Sequence, residues 1–201
     1  LKRISEIGGK GVLLLLAEST NIERPGCSMS ESKGGESLTH IFAENPERRI
    51  FIATFASNVH RLQQILDIAK KYKRKVAFAG RSMINIVEYA GKIGELKLDK
   101  NNIIDIEQIG KEEDKNLCII TTGSQGEPSS ALTRIANDEF PKVTIGFNDT
   151  VILSASPIPG NERMVYNVIN NLYRKGAKVI YESLAEVHAS GHACQEEIKL
   201  M

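Results

Sequence analysis

Two histidines flank a serine and a glycine near the end of the chain, in the stretch His188-Ala189-Ser190-Gly191-His192. An imidazole can donate to a phosphate oxygen and pass on a proton, and a glycine lets a ligand approach the backbone closely. These residue types at this spacing predict a phosphoester site. The simpler alternative is a polar loop with two incidental histidines, because histidine is common on loop surfaces.

The elements that would position this cluster alternate between short aliphatic runs and amphipathic helical patterns. We expect strands at residues 12–16, 50–54, 75–79, 117–121, 150–153 and 178–180. Apolar residues recur at helical spacing in 59–69, 83–90 and 165–172. This alternation predicts an α/β fold, a three-layer sandwich with a mainly parallel sheet flanked by helices. Segment 23–36 has little periodicity and is expected to be a mobile loop, and 97–116 is also weakly patterned.

Polar residues directly follow the predicted strands, and ligands of open parallel sheets bind beyond the carboxyl ends of strands. The candidate phosphate-binding residues are Ser57, Asn58, Arg81, Ser82, Ser124, Gln125, Ser154, Ser156, His188 and Ser190. Ser57-Asn58 and Arg81-Ser82 precede predicted helices, whose first backbone N–H groups attract anions. Arg81 adds a fixed positive charge suited to bidentate phosphate contact. Asn58 and Ser82 also fit the simpler role of helix caps.

The composition of the chain indicates how it would bind a polyanion, which redox compartment it occupies and whether it contacts a membrane. The chain has 201 residues, with 26 basic against 25 acidic side chains, so we expect local binding of a polyanion rather than a long basic track. Cys27, Cys118 and Cys194 are odd in number and far apart, which predicts a reducing cytoplasm rather than a disulfide framework. The sequence shows no apolar stretch of membrane-spanning length and no signal-peptide layout, so we expect a soluble protein without a membrane partner.

Several strings occur in an order that resembles one family. The chain contains Ala-Thr-Phe-Ala-Ser-Asn-Val-His-Arg (53–61), Gly-Arg-Ser-Met (80–83), Thr-Thr-Gly-Ser-Gln-Gly-Glu-Pro (121–128) and Ser-Pro-Ile-Pro-Gly-Asn (156–161). Together with the histidine cluster they resemble bacterial ribonuclease J over nearly the whole chain. The Thr-Gly-Ser-Gln-Gly-Glu-Pro string is specific to that family within its superfamily. The resemblance implies a Rossmann-like β-CASP domain over 21–187, with flanks of a metallo-β-lactamase part at 1–20 and 188–201.

The resemblance also implies an activity. Ribonuclease J is a metal-dependent phosphodiesterase with 5′-to-3′ exonuclease and endonuclease activity in mRNA decay and RNA processing. Its implied partners are RNA, especially 5′-monophosphorylated ends, and the metallo-β-lactamase domain of the same chain. Two divalent metal ions, zinc or manganese, are implied for the intact enzyme.

Two residues match the β-CASP motifs of that superfamily. Glu18 stands at the acidic motif, which is usually Asp in ribonuclease J, and His192 stands at the histidine motif. We expect the Glu18 carboxylate to orient His192 by fixing its tautomer, so that the imidazole acts as a general acid. The alternative is that Glu18 caps the following Ser-Thr-Asn turn and His192 only touches phosphate.

The metal-binding run of the family is missing from this sequence. A metallo-β-lactamase site needs a His-x-His-x-Asp-His run, whereas the histidines here are His40, His60, His188 and His192. We therefore expect no metal site in this chain and no nuclease activity from it alone. Two other interpretations stay open. One is a free-standing α/β module that binds a nucleotide or phosphorylated metabolite; the other is a β-CASP enzyme of mRNA 3′-end processing or DNA repair.

Overall fold

The computed structural model describes residues 2–28, 31–141, 143–181 and 191–201. Its elements are α1 (Lys2–Gly8), α2 (Glu31–Glu44), β1 (Arg49–Ala53), α3 (Val59–Lys71), β2 (Lys75–Ala79), α4 (Arg81–Lys92), β3 (Leu117–Thr121), α5 (Ala131–Ala136), β4 (Asp149–Leu153), α6 (Glu162–Arg174), β5 (Lys178–Ile180) and α7 (Gln195–Leu200). Two 3₁₀ helices, Ile106–Lys111 and Asp114–Asn116, precede β3. The chain divides into a larger unit, Glu31–His188, and a smaller unit formed by Leu1–Ser30 and Ala189–Met201.

The larger unit is built on one sheet of five parallel strands in the order β2-β3-β1-β4-β5. Successive side chains of a strand point to opposite faces, so each strand supplies both layers of the core. Ile50 and Ile52 of β1 pack on the face covered by α2, α3 and α4. Phe51 and Ala53 pack on the face covered by α5 and α6. The predicted three-layer α/β sandwich is thus confirmed.

Helix α2 contradicts the expectation of a loop over 23–36, because the helix begins at Glu31. Gly34 and Gly35 weaken the helical pattern in the sequence, and tertiary packing explains Gly34. The guanidinium of Arg61, a residue only 1 % exposed, lies against Gly34, where a Cβ would come within 2.6 Å of Nη2. Packing against α3 therefore decides a segment whose local propensity indicates a turn.

The expected buried strand at 12–16 is wrong in this structure. These residues form no strand, and Leu13 and Leu16 are 105 % and 87 % exposed. An aliphatic run favours extended backbone, but a strand also needs a neighbour to accept its hydrogen bonds. Within the described ranges, segment 12–16 has no such neighbour.

In the smaller unit, two stretches distant in sequence lie side by side. Asn21 forms a parallel bridge with Cys194, and the N–H of Gln195 donates to the carbonyl of Arg24 at 3.0 Å. These contacts place the residues around Glu18 next to those around His192. No helix in the described ranges is both long and apolar enough to cross a membrane.

Candidate functional site

The loops after β1, β2 and β3 open at one edge of the sheet. Strand β3 lies between β2 and β1. Helices α3 and α4, which follow β1 and β2, cover one face, whereas α5, which follows β3, covers the other. Neighbouring parallel strands whose connections leave toward opposite faces form a crevice beyond their carboxyl ends. This topology places a crevice on each side of the end of β3.

The crevice between β1 and β3 is a pocket of ≈ 330 Å³, here named the strand-end pocket. Its lining residues are Thr54, Phe55, Ala56, Ser57, Ser82, Ile86, Thr122, Gly123, Ser124 and Glu127. Three residues singled out in the sequence, Ser57, Ser82 and Ser124, therefore share one pocket. Their hydroxyls can each donate to an anionic oxygen.

The crevice between β2 and β3 is a cleft of ≈ 510 Å³, here named the Arg81 cleft. It shares Ser82, Thr122, Gly123 and Glu127 with the strand-end pocket, so the two adjoin. Arg134 also lines this cleft. Its Nη2 donates to the carbonyl of Glu139 at 2.9 Å, and its guanidinium lies over the ring of Phe140. Sequence reasoning missed this second cation, because Arg134 lies inside α5 rather than directly after a strand.

Two glycines allow the loops to approach each other at this edge. Gly80 and Gly123 have φ angles of 107° and 105°, in the left-handed region. A Cβ at Gly80 would lie 2.7 Å from Oγ1 of Thr122, and one at Gly123 would lie 2.3 Å from Oγ of Ser130. Glycine is the residue that satisfies both the backbone conformation and the lack of space.

Glu127 is a lining residue that the sequence analysis did not select. It lies in the predicted Thr-Gly-Ser-Gln-Gly-Glu-Pro string and lines both the strand-end pocket and the Arg81 cleft. A carboxylate there opposes the binding of a phosphate by like-charge repulsion. A carboxylate is not a hydrogen-bond donor, so the pattern of donors after the strands does not indicate Glu127.

Two predicted phosphate ligands are occupied by local structure. Oδ1 of Asn58 accepts from the N–H of Arg61 at 3.0 Å and caps α3, which is the simpler role expected for it. Gln125 is 2 % exposed; its Nε2 donates to the carbonyl of Ser156 at 2.8 Å, and its Oε1 accepts from the N–H of Ile158 at 2.7 Å. The amide of Gln125 thus ties the loop after β4 to the loop after β3, and its predicted contact with phosphate stays a prediction.

Ser154 and Ser156 are not among the residues that line these two cavities. Ser154 is 2 % exposed, and its N–H continues the sheet by donating to the carbonyl of Ala53 at 2.8 Å. Ser156 contributes the carbonyl that Gln125 binds. His188 and Ser190 lie outside the described residues, so their predicted role stays a prediction.

Glu18 and His192 meet in the smaller unit, 174 positions apart in sequence. Oε2 of Glu18 lies 3.2 Å from Nδ1 of His192, and Oε1 accepts from the N–H of Ala193 at 2.9 Å. Oε2 also accepts from the N–H of Thr20 at 2.8 Å, so Glu18 caps its turn as well as contacting the imidazole. The N–H of Thr20, followed by the Thr20 side chain, the N–H of Ala193 and the charge of His192, lowers the pKa of Glu18. An ionised carboxylate at Nδ1 favours a proton on that nitrogen and leaves Nε2 for other chemistry.

Two further residues hold this pair in place and were missed in the sequence. Nδ2 of Asn21 donates to the carbonyl of His192 at 3.1 Å. The Glu197 carboxylate accepts from the N–H of Cys194 at 2.9 Å and from both N–H and Oγ of Ser28 at 2.8 Å. The N–H groups of Cys194 and Ser28 lower the pKa of Glu197. Both residues join stretches far apart in sequence, a pairing that spacing alone does not reveal.

Comparison with known proteins gives a consistent result. The family model "Ribonuclease J, beta-CASP domain" matches residues 47–172. Ribonuclease J of Synechocystis is 46 % identical over 201 residues, which are 100 % of this chain and 31 % of that protein. Ribonuclease J2 of Bacillus subtilis is 41 % identical over 199 residues, 98 % of this chain and 35 % of that protein. The chain thus spans about a third of the length of these curated relatives.

A solved structure supports the fold alone. The crystal structure of a protein of unknown function from Enterococcus faecalis is similar with a TM-score of 0.51 at 16 % identity, covering 95 % of this chain and 40 % of that one. Similarity to one part of longer proteins favours the domain interpretation over a free-standing nucleotide-binding module.

Proposed function

Because the chain belongs to the ribonuclease J family, we propose that it binds the 5′ end of RNA as the β-CASP part of a longer, metal-dependent ribonuclease. The observation that carries this proposal is the convergence of Ser57, Ser82 and Ser124 in one pocket beside the Arg81 cleft. A terminal phosphate offers three acceptor oxygens, which match neutral hydroxyl donors and one guanidinium. The phosphate is thus bound locally, as the near-zero net charge of the chain requires.

The longer protein would combine this domain with a metallo-β-lactamase domain, its closest partner. It would degrade RNA from 5′-monophosphorylated ends and cut internally, in the mRNA decay and RNA processing of the cytoplasm, without contact to a membrane. The free thiols of Cys27, Cys118 and Cys194 support a reducing compartment.

The two metal ions of the family would be bound by residues beyond this chain. In the described part of the chain, no three His, Cys, Asp or Glu side chains form a group that would hold a metal ion. The residues that the structure describes therefore do not fit a metal pair.

Glu18 and His192 would assist the cleavage step. When the phosphodiester bond breaks, the ribose 3′-oxygen leaves as an oxyanion and needs a proton. His192 would supply it from Nε2, because Nδ1 lies 3.2 Å from the Glu18 carboxylate. Glu18 is then a positioning residue, which selects the tautomer and stabilises the cationic imidazole.

Titration of the 201-residue chain with fluorescent oligonucleotides tests the end-binding proposal. A 5′-monophosphorylated strand should bind more tightly than the same strand with a 5′-hydroxyl. Arg81→Ala should remove about tenfold of that preference, since a charge-assisted hydrogen bond contributes about 1.5–3 kcal/mol. Lys100→Ala is the matched control, because it removes one positive charge from an exposed residue outside both cavities.

The deciding quantity is the ratio of the affinities for the 5′-monophosphorylated and the 5′-hydroxyl strand, rather than either affinity alone. Equal binding of the two strands to the wild-type chain would overturn the end-binding proposal. If Lys100→Ala lost as much of the preference as Arg81→Ala does, the preference would be a general effect of charge and not a contact of Arg81.

A further inference from the structure

A third cavity of ≈ 510 Å³ lies between α5 and α6, outside the strand-end pocket and the Arg81 cleft. Four of its lining residues are asparagines: Asn137 follows α5, and Asn167, Asn170 and Asn171 lie on α6. We call it the asparagine groove. Arg174, at the end of α6, and Glu139 also line it, so the groove is polar but carries charges of both signs.

The asparagines of α6 form a continuous stripe. Residues 167, 170, 171 and 174 are spaced i, i+3, i+4 and i+7, which places them along one face of a helix. The buried stripe of the same helix is separate and consists of Val165, Val168, Ile169 and Leu172. Asparagine is among the weaker helix formers, so three in a 13-residue helix are not explained by helix stability. Local choices that oppose the fold are expected at functional sites.

Two side chains of the stripe, Asn171 and Arg174, are held by hydrogen bonds. The other two, Asn167 and Asn170, are available to a ligand. Nη1 of Arg174 donates to Oδ1 of Asn171 at 3.0 Å, and Nδ2 of Asn171 donates to Oδ1 of Asn137 at 2.9 Å. These two hydrogen bonds hold the Arg174 guanidinium beside the amides. Asn167 and Asn170 are exposed, and in the part of the chain that the structure describes their side-chain amides make no hydrogen bond.

The asparagine groove neighbours the proposed RNA site through the loop after β3. Gly126 and Pro128 line the groove, and Glu127 between them lines the strand-end pocket and the Arg81 cleft. A strand whose 5′ end lies at the strand-end pocket therefore has a polar path along α6. The charges of the groove indicate whether it would bind the bases or the phosphates of the strand. Amides pair with the donor and acceptor edges of bases, whereas the Glu139 carboxylate disfavours phosphates.

We propose that the asparagine groove binds bases of single-stranded RNA downstream of the 5′ end, with Asn167 and Asn170 as base-contacting residues. Arg174 provides a planar cation on which a base can stack. This inference rests on the proposed function, because it needs the RNA strand to begin at the strand-end pocket. It differs from that function in its chemistry, since the groove contacts bases and the pocket contacts phosphate.

The test measures affinity of the 201-residue chain for a single-stranded RNA as a function of salt. Asn167→Ala/Asn170→Ala should weaken binding about two- to tenfold for each lost hydrogen bond, while the slope of log affinity against log salt stays unchanged. An oligonucleotide with abasic downstream positions should bind the variant and the wild type equally. Asn101→Ala/Asn148→Ala is the control, because both residues are exposed and lie beside the opposite ends of the strands.

Folding does not confuse this experiment, because alanine is a better helix former than asparagine and the double variant should melt no earlier than the wild type. Unchanged RNA affinity in Asn167→Ala/Asn170→Ala would overturn the inference, and so would an equal loss on the abasic strand. If the wild type keeps its 5′-phosphate preference while the double variant binds RNA normally, the groove proposal fails and the end-binding proposal stands. If the wild type shows no RNA binding at all, both fail.

Discussion

Nδ1 of His192 lies 3.2 Å from Oε2 of Glu18, a carboxylate that the N–H groups of Thr20 and Ala193 also hold. The contact joins residues on either side of the larger unit in sequence. It gives the carboxylate two roles, because the same oxygen caps a turn and faces the imidazole. Mutations of Glu18 must therefore be read with a measurement that separates folding from chemistry.

In the proposed longer ribonuclease, His192→Ala should lower turnover by about 10²- to 10⁴-fold, the usual contribution of a general acid, with little loss of bound metal. Glu18→Gln should also slow cleavage and change the pH dependence of turnover, because the amide no longer selects the imidazole tautomer. Glu23→Gln is the control, an exposed residue in the same stretch. Full activity and an unaltered pH profile in Glu18→Gln would show that the carboxylate does not orient His192.

Acid should loosen the smaller unit only below the ordinary carboxyl range. The pKa values of Glu18 and Glu197 are lowered in the folded state, so their contacts stabilise it above the unfolded-state pKa of about 4.3. That stabilisation is lost as the pH falls through the lower folded-state values. Amide NMR shifts of Ala193 and Ser28, the donors to the two carboxylates, report each step. Glu197→Gln should abolish only the Ser28 transition, and transitions of both amides above about pH 5 would contradict the assignment.

Removing the carboxylate of Glu127 should strengthen phosphate binding. It lines both the strand-end pocket and the Arg81 cleft, where its charge repels an anion. Glu127→Gln should raise affinity for a 5′-monophosphorylated strand and leave the 5′-hydroxyl strand nearly unchanged, as measured by anisotropy. Glu95→Gln, an exposed change of the same charge, serves as control. Weaker binding by Glu127→Gln would instead make this residue a ligand of the RNA.

Gly123→Ala should destabilise the larger unit by about 1–3 kcal/mol or more, because its φ angle is 105° and a Cβ would meet Ser130 at 2.3 Å. Gly110→Ala is the matched control, since a Cβ there meets nothing within 4 Å. Chemical denaturation of the two variants measures the difference. Equal free energies of unfolding would mean that the loop after β3 tolerates a side chain.

Burial separates the reactivities of Cys27 and Cys118. Cys118 lies in β3, and its burial raises the pKa of the thiol to about 12, whereas Cys27 is exposed. Only thiolates react rapidly with alkylating reagents. Cys27 should therefore be labelled in the folded protein and Cys118 only after unfolding, as mass spectrometry would show. Labelling of Cys118 in the folded chain at the rate of Cys27 would contradict the burial of β3.

The sequence was sufficient for the sheet because its strands are buried on both faces. Runs such as 117–120 are continuously apolar, and that pattern persists whatever the neighbours are. The sequence was insufficient where contact with a neighbouring segment determines the local structure. Segment 12–16 has the same aliphatic character without a partner strand among the described residues, and α2 carries a glycine that only the Arg61 contact explains.

The functional site also contains residues that the sequence was sufficient to predict and residues for which it was insufficient. Serines after β1 and β3 were identified because the carboxyl ends of parallel strands meet at one edge. The sequence does not separate the possible roles of Gln125, because an amide in a loop has the same sequence signature whether it faces a ligand or the backbone of Ser156. Arg134 was missed because it lies within α5 rather than directly after a strand, and Glu127 was missed because its carboxylate is not a donor to phosphate.

Amide NMR of the 201-residue chain with a short 5′-monophosphorylated RNA tests directly whether the strand-end pocket binds the RNA 5′ end. We expect the largest shift changes at the amides of Ser57, Ser82 and Ser124, with those of Asn101 and Asn148 unaffected. A 5′-hydroxyl strand should leave the three serine signals nearly unchanged. Equal changes with both strands, or changes confined to Asn101 and Asn148, would contradict binding of the RNA 5′ end at the strand-end pocket.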